Sequence, residues 1–183
     1  MQYYIDIQLQ PDAKMRENVL LNRVYSKLHN ALCHLKTHDI GVSFPDYQQR
    51  LECLLRLHGT QQSLDRLQGL NWLAGLQNFC QISPITATPT PSHHRVLSRQ
   101  QCNLTKAKLR RLIKRESIPA HEIQHYRAKM FQQGLTTPYV ELNSHSSQQD
   151  YRLYIKFSEI SDIAVIGKFN HFGLSRSATV PWF

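Results

Sequence analysis

At 183 residues the chain has room for one large domain or two small ones, and its 22 basic against 13 acidic residues, a net +9, point to a polyanionic partner rather than an acidic small substrate. Cys33, Cys53, Cys80 and Cys102 form no CxxC pair and follow neither metal-ligand nor secreted-disulfide spacing, so reduced thiols are expected and a disulfide scaffold is excluded. With no basic segment ahead of an apolar run, and no stretch of about 18 apolar residues, the expectation is a cytoplasmic protein with no membrane partner.

The first predicted element is a strand, Gln2 to Gln10, in which Tyr3, Ile5, Ile7 and Leu9 alternate with Tyr4, Asp6, Gln8 and Gln10. After Pro11 and Asp12, the residues Leu20, Val24, Leu28, Ala31, Leu32 and Leu35 recur at threes and fours, which predicts an amphipathic helix of about five turns. DIGVSFP alternates Ile40, Val42 and Phe44 and stops at Pro45; RLECLLRLHG is a further strand ending at Gly59. A leucine-rich helix is expected from Thr60 to Leu76 and another strand from Phe79 to Thr86. The order βαββαβ predicts a ferredoxin-like unit over residues 1–88, two helices covering one face of an antiparallel sheet. RNA-recognition domains use that plan, but the plan alone establishes no function.

Pro84 and the stretch TATPTPSHH mark a linker, taken as 89–96, ahead of a smaller α+β domain at 97–183. That domain is expected to hold a basic helix at about 104–116, a less regular segment through SIPAHEIQHYRAKMFQQGLTTP, strands in YVELNS and YRLYIKF, and a final strand-like DIAVIGKF. The fold class is therefore α+β.

The charge is concentrated. From Arg95 to Lys129 ten basic residues face only Glu116 and Glu122, a net +8, leaving +1 for the rest of the chain. On a helical projection Lys106, Lys108, Arg110, Arg111, Lys114 and Arg115 fill an arc of roughly 200°, opposite Leu109, Leu112 and Ile113, with Asn103 as N-cap. A solvated face is the competing reading, but Lys106, Arg110 and Lys114 repel one another at four-residue spacing with no acid between them, so an absent polyanion explains the pattern better. Just upstream, Arg99 and Gln101 are the side-chain types that pair bidentately with guanine and adenine edges.

HEIQH matches the HExxH zinc pattern through His121, Glu122 and His125, with Glu141 or His145 as a third ligand. Ala128 and Phe131 occupy the Gly and His places of its extended form, so the preferred reading involves no metal. His29 sits beside the apolar stripe of the first helix, one turn from Tyr25 and Cys33, and by itself reads as a half-buried core histidine. NSHSSQQDY offers Ser144, Ser146, Ser147 and Tyr151 and by itself reads as a polar hairpin turn.

Taken together, KLH on the first helix, IGVSFPD, LSRQQ ahead of LRRLIKR, NSHS with YRLYI, and the terminal GLS and VPWF resemble the CRISPR-associated endoribonucleases of type I-F systems, in the repeat-associated mysterious protein superfamily. The resemblance spans essentially the whole chain. It implies a C-terminal domain whose basic helix lies along the major groove of a CRISPR repeat hairpin, and cutting of precursor guide RNA without metal or cofactor. A 2′-hydroxyl would attack the adjacent phosphate and leave a 2′,3′-cyclic phosphate and a 5′-hydroxyl.

By the same likeness His29 would be catalytic, Ser144 would position the ribose and Ser146 would add an RNA contact. Arg99 and Gln101 would read bases, Tyr151 would stack beside the cut, and Arg110, Arg111, Lys114 and Arg115 would hold phosphates. Lys106 and Lys108 join that group on charge alone. Lys114 stands where the family has arginine, which exchanges a bidentate fork for a point charge. Phe172 stands where the family has tyrosine, so a supporting hydroxyl is missing there and His171 is the neighbour expected to take part. The family's proteins stay on the cleaved hairpin, with mature guide RNA and other CRISPR-associated subunits of the interference complex as partners. The alternatives are a hairpin-capping protein that does not cut and a small zinc hydrolase.

Overall fold

The computed structural model describes residues 1–90, 92–101, 106–143 and 149–183, those at 106–107 and 131–136 by backbone alone. The chain begins with β1 (Tyr3–Leu9), α1 (Glu17–Leu35), β2 (Gly41–Ser43), β3 (Leu54–Gly59), α2 (Gln61–Gly69), β4 (Cys80–Ile82) and the short β5 (Thr86–Ala87). The strands form a large antiparallel sheet of order β2-β3-β1-β4, with β5 also on β1, which is the βαββαβ arrangement read from the sequence. The alternation in β1 does what its period demands: Ile5, Ile7 and Leu9 are buried, and Ile7 lies opposite both Leu55 and Ile82.

Before α1, the Asp12 carboxylate accepts the backbone N–H groups of Lys14 and Met15. The helix ends at Lys36, which takes a left-handed conformation and returns its N–H to the Cys33 carbonyl. α2 is shorter than expected. A Thr60–Ser63 capping box starts it, but it stops at Gly69, where the poorest non-proline helix former is followed by Asn71 at positive φ. Trp72, Leu73 and Leu76 then pack into the core from a turn rather than a helix.

The remaining elements are β6 (His93–Arg95), β7 (Leu97–Gln100), α3 (Lys106–Lys114), α4 (Ala120–Thr136), β8 (Tyr139–Asn143), β9 (Asp150–Phe157) and β10 (Val180–Trp182). A small antiparallel sheet has the order β7-β9-β8, and β10 pairs with β6. The segment expected as a linker is thus partly a strand, held by register pairs such as Val180 with Arg95 and Trp182 with His93.

Two expectations in this half change. The segment expected to be irregular is α4; its apolar stripe of Ile123, Tyr126 and Met130 is only half-buried, a weak periodic signal, while Pro119 and Pro138 bracket an interrupted-free run from Ala120 to Gln133. DIAVIGKF is not a strand. Asp162 is drawn to His93, Val165 accepts the Thr179 backbone N–H but donates its own to the Thr179 hydroxyl, and Ile163 and Ile166 are 71% and 98% exposed, so the closing strand is β10 instead.

The core runs through both halves because α1 packs against each sheet. Leu20, Val24, Leu28 and Leu32 join Ile5, Ile7, Leu55 and Leu57 of the large sheet and Val140, Leu142, Leu153 and Ile155 of the small one in one buried cluster. The Asn22 side-chain oxygen accepts the backbone N–H of Glu141 at 2.9 Å, tying the helix to β8. On the large sheet the cross-strand pair Asp6 and Arg56 forms a two-bonded ion pair at 2.6 and 2.9 Å. Arg56 also donates to the Phe183 carbonyl at 2.8 Å and lies over the rings of Tyr4 and Phe183.

Candidate active site

His29 is carried on the sandwiched helix, with its ring half-exposed. Its Nδ1 lies 2.9 Å from the His171 carbonyl oxygen. A carbonyl can only accept, so Nδ1 carries the proton and Nε2 of the neutral ring keeps its lone pair. The Phe172 ring lies flat on the imidazole, with centroids 4.0 Å apart and planes 8° from parallel. Cys33 Sγ approaches both ring nitrogens, at 3.7 and 3.8 Å, and burial pushes that thiol's pKa upward.

The loop that delivers these contacts is built by its own polar groups. The Asn170 side-chain oxygen accepts the N–H groups of Phe172 and Leu174, and the His38 imidazole donates through Nδ1 to the Phe169 carbonyl. Gly173 has φ +70 and sits against Val42, where a Cβ would come within 2.5 Å of the valine side chain. Tyr25, fully buried one turn before His29, donates its hydroxyl to the Phe172 carbonyl at 2.7 Å. Burial, and next the nearby Tyr151, drive its pKa far up, so it remains a donor. His171 meets His29 through its carbonyl; its own ring stacks beside His38, and its Nε2 is buried without a partner among the described residues.

Tyr151, on β9, is half-buried at the edge of the same core. Burial raises its pKa and the positive charge of Arg99 offsets part of that rise, which sets Arg99 within electrostatic reach of it. Arg99 is exposed on β7 opposite Ile155, and Gln101 follows just beyond the strand, also exposed. Ser144 and Ser146, with Asn103 and His145, lie outside the described residues.

On α3, Lys108, Arg110, Arg111 and Lys114 are exposed, as is Arg115 directly after it. Lys106 starts the helix and is described by backbone alone. Leu109 is buried and Leu112 half-buried, but Ile113 is exposed, so the docked stripe is narrower than the sequence projection suggested. On α4, His121, Glu122 and His125 are exposed. Among the described residues no three His, Cys, Asp or Glu side chains gather where they would hold a metal ion, and Glu141 is ion-paired with Arg152.

The sequence reading gave no role to His38, Asn170 or Gly173 and named Tyr25 only as a neighbour of His29. Only Tyr25, one helical turn from His29, left a signal that spacing alone reveals.

The chain matches the family model described as CRISPR-associated protein (Cas_Csy4) over residues 4–183. It is 35% identical over 184 residues to the CRISPR-associated endonuclease Cas6/Csy4 of Escherichia coli (strain UTI89 / UPEC). It is 34% identical over 187 residues to the protein of the same description from Pseudomonas aeruginosa (strain UCBPP-PA14). Both alignments cover 100% of this chain and 100% of the relative.

Proposed function

The chain belongs to the Csy4 family of CRISPR-associated proteins, and on that premise we propose that it is the endoribonuclease that matures guide RNA by cutting the repeat hairpin of the precursor. The observation that carries the chemical part is the hydrogen bond from His29 Nδ1 to the His171 carbonyl. It leaves Nε2 as a base of defined direction, able to take the proton of a 2′-hydroxyl as that oxygen attacks the neighbouring phosphate. The P–O bond to the 5′-oxygen breaks and that oxygen takes up one proton, matching the one lost from the 2′-hydroxyl, so the products are a 2′,3′-cyclic phosphate and a 5′-hydroxyl and the imidazole returns to its neutral form. No water or metal is required in that balance.

Phe172, in the place of the family tyrosine, contributes ring packing that holds the imidazole plane, and Tyr25 supplies a buried hydroxyl that anchors the same loop. Ser144 positions the ribose, Ser146 adds a further contact, and Tyr151 stacks on the nucleotide beside the cut. His171 acts through its carbonyl. Arg99 and Gln101 read base edges low on the stem, while Lys106, Lys108, Arg110, Arg111, Lys114 and Arg115 hold its phosphates. The protein works in the cytoplasm, keeps the cleaved hairpin and joins the other CRISPR-associated subunits of the interference complex. Residues 1–88 and 97–183 act as its two functional halves.

The test mixes wild type and His29→Ala with the repeat hairpin in EDTA and follows binding and product ends. A cyclic phosphate made by wild type alone is the expected result. Equal binding with no cutting by either protein would instead identify a hairpin-capping subunit, and cutting abolished by EDTA would return the metal mechanism.

A further inference from the structure

The helix line that carries His29 continues into a groove. On α1, Asn22, Ser26, His29 and Cys33 follow one another at intervals of four, three and four, so they fall along one face. The N-terminal part of that face forms a wall of an open groove of about 550 Å³. Asn22, Arg23, Ser26 and Lys27 line it from the helix, and Glu141, Asn143 and Asp150 from β8 and β9, with apolar surface mainly from the exposed Val19 and the edges of Leu76 and Leu142.

Its lining sets Arg23 and Lys27 against Glu141 and Asp150, two charges of each sign, but the carboxylates are engaged away from the cations. Glu141 is engaged by Arg152 at 2.9 Å, and Asp150 accepts from the Asn143 amide at 3.0 Å. Arg23 and Lys27 repel each other at four-residue spacing and have no acidic partner among the described residues. Two unpartnered cations above apolar walls, with amide and hydroxyl groups beside them, suit a single nucleic-acid strand: phosphates on the cations, splayed bases against the walls.

The sheet order gives the direction. In β7-β9-β8 the edge strand β7 carries Arg99, on the stem side, and the groove lies at the opposite edge, on β8. In-line displacement sets the departing 5′-oxygen opposite the attacking 2′-oxygen, so the leaving strand points away from the stem. Resting on the nuclease reading above, we propose that this groove holds the first unpaired nucleotides on the leaving side of the cut, with Arg23 and Lys27 on their phosphates.

The probe is a repeat hairpin made uncleavable by a 2′-deoxy nucleotide before the scissile phosphate, either trimmed at the cut or continued by a few unpaired nucleotides. Fluorescence anisotropy would compare wild type with Arg23→Gln/Lys27→Gln across a salt series. Wild type binds the continued hairpin several-fold more tightly, with an added log–log salt slope of about 1.4 from two single-strand phosphates. The double variant loses that gain, each single variant loses about half of the added slope, and all bind the trimmed hairpin alike, which also reports that they are folded. No gain in wild type, a gain that persists in the double variant, or a gain only from an extension on the other side of the stem would each overturn the assignment. Cutting of the all-ribose hairpin, followed in parallel, decides the nuclease reading separately.

Discussion

An imidazole becomes a directed base when one of its nitrogens is committed elsewhere, and for His29 that commitment is made by a backbone carbonyl. His29→Ala removes the proposed base and should slow cutting by about 10²- to 10⁴-fold. Hairpin affinity, read by anisotropy, should hardly move, since the side chains proposed to hold phosphates lie on α3 and directly after it. Phe172→Leu removes a ring stack worth about 0.5–1.5 kcal/mol, so single-turnover cutting should fall by roughly two- to tenfold while binding of trimmed RNA persists. A loss as large as that of His29→Ala would mean that the ring does more than hold a plane. The histidine was singled out by the family likeness, since by its own place on the apolar stripe it reads as a half-buried core residue. The carbonyl that orients it was not, because every residue has one and only the folded loop selects that of His171. The departure at Phe172 was legible as a missing hydroxyl, yet its stacking on His29 needed three dimensions.

At the scale of elements, α3 concentrates exposed positive charge along a helix that docks through Leu109 and Leu112. Neutralising Arg110, Arg111, Lys114 and Arg115 to Gln removes four proposed phosphate contacts, so the log–log salt dependence of hairpin binding should become shallower by about 3.6. An unchanged slope would place the stem elsewhere. The helix was legible because charge and period agree in it. α2 was read too long because leucines continue past Gly69, and a turn can bury leucines as well as a helix can. α4 was missed because its stripe is only half-buried, and DIAVIGKF was overread because apolar, β-branched composition does not supply a neighbouring strand. β6 was hidden by Pro89 and Pro91 just ahead of it, and its partner β10 lies 85 or more residues away, beyond the reach of any local pattern.

For the whole molecule, stability rests on groups that join distant parts of the chain. Arg56→Met strips the Asp6 carboxylate of both its bonds and loosens Phe183. It should cost about 3 kcal/mol, or roughly 6–12 °C in Tm, measured by thermal unfolding. His58 is fully buried beside Ser43, and burial first, then Arg56 and the N-terminal ammonium, hold its pKa well below 6.5. Below about pH 6.5 the unfolded chain takes up a proton there that the folded chain refuses, so the unfolded state binds more protons and stability falls on acidification. The slope reaches at most about 1.4 kcal/mol per pH unit for one proton. Tm followed from neutral to mildly acid pH should drop for wild type and drop less for His58→Gln. His94, shifted the same way by burial, keeps some slope in that variant.

The 142-residue separation between His29 and the carbonyl that orients it also orders events in time. The N-terminal sheet and α1 leave the ribosome first, and for as long as residues 170–174 are still unmade the histidine has neither a settled tautomer nor a ring against it. A half-synthesised chain therefore carries an unoriented imidazole, and the proposed nuclease is complete only once that last loop has folded.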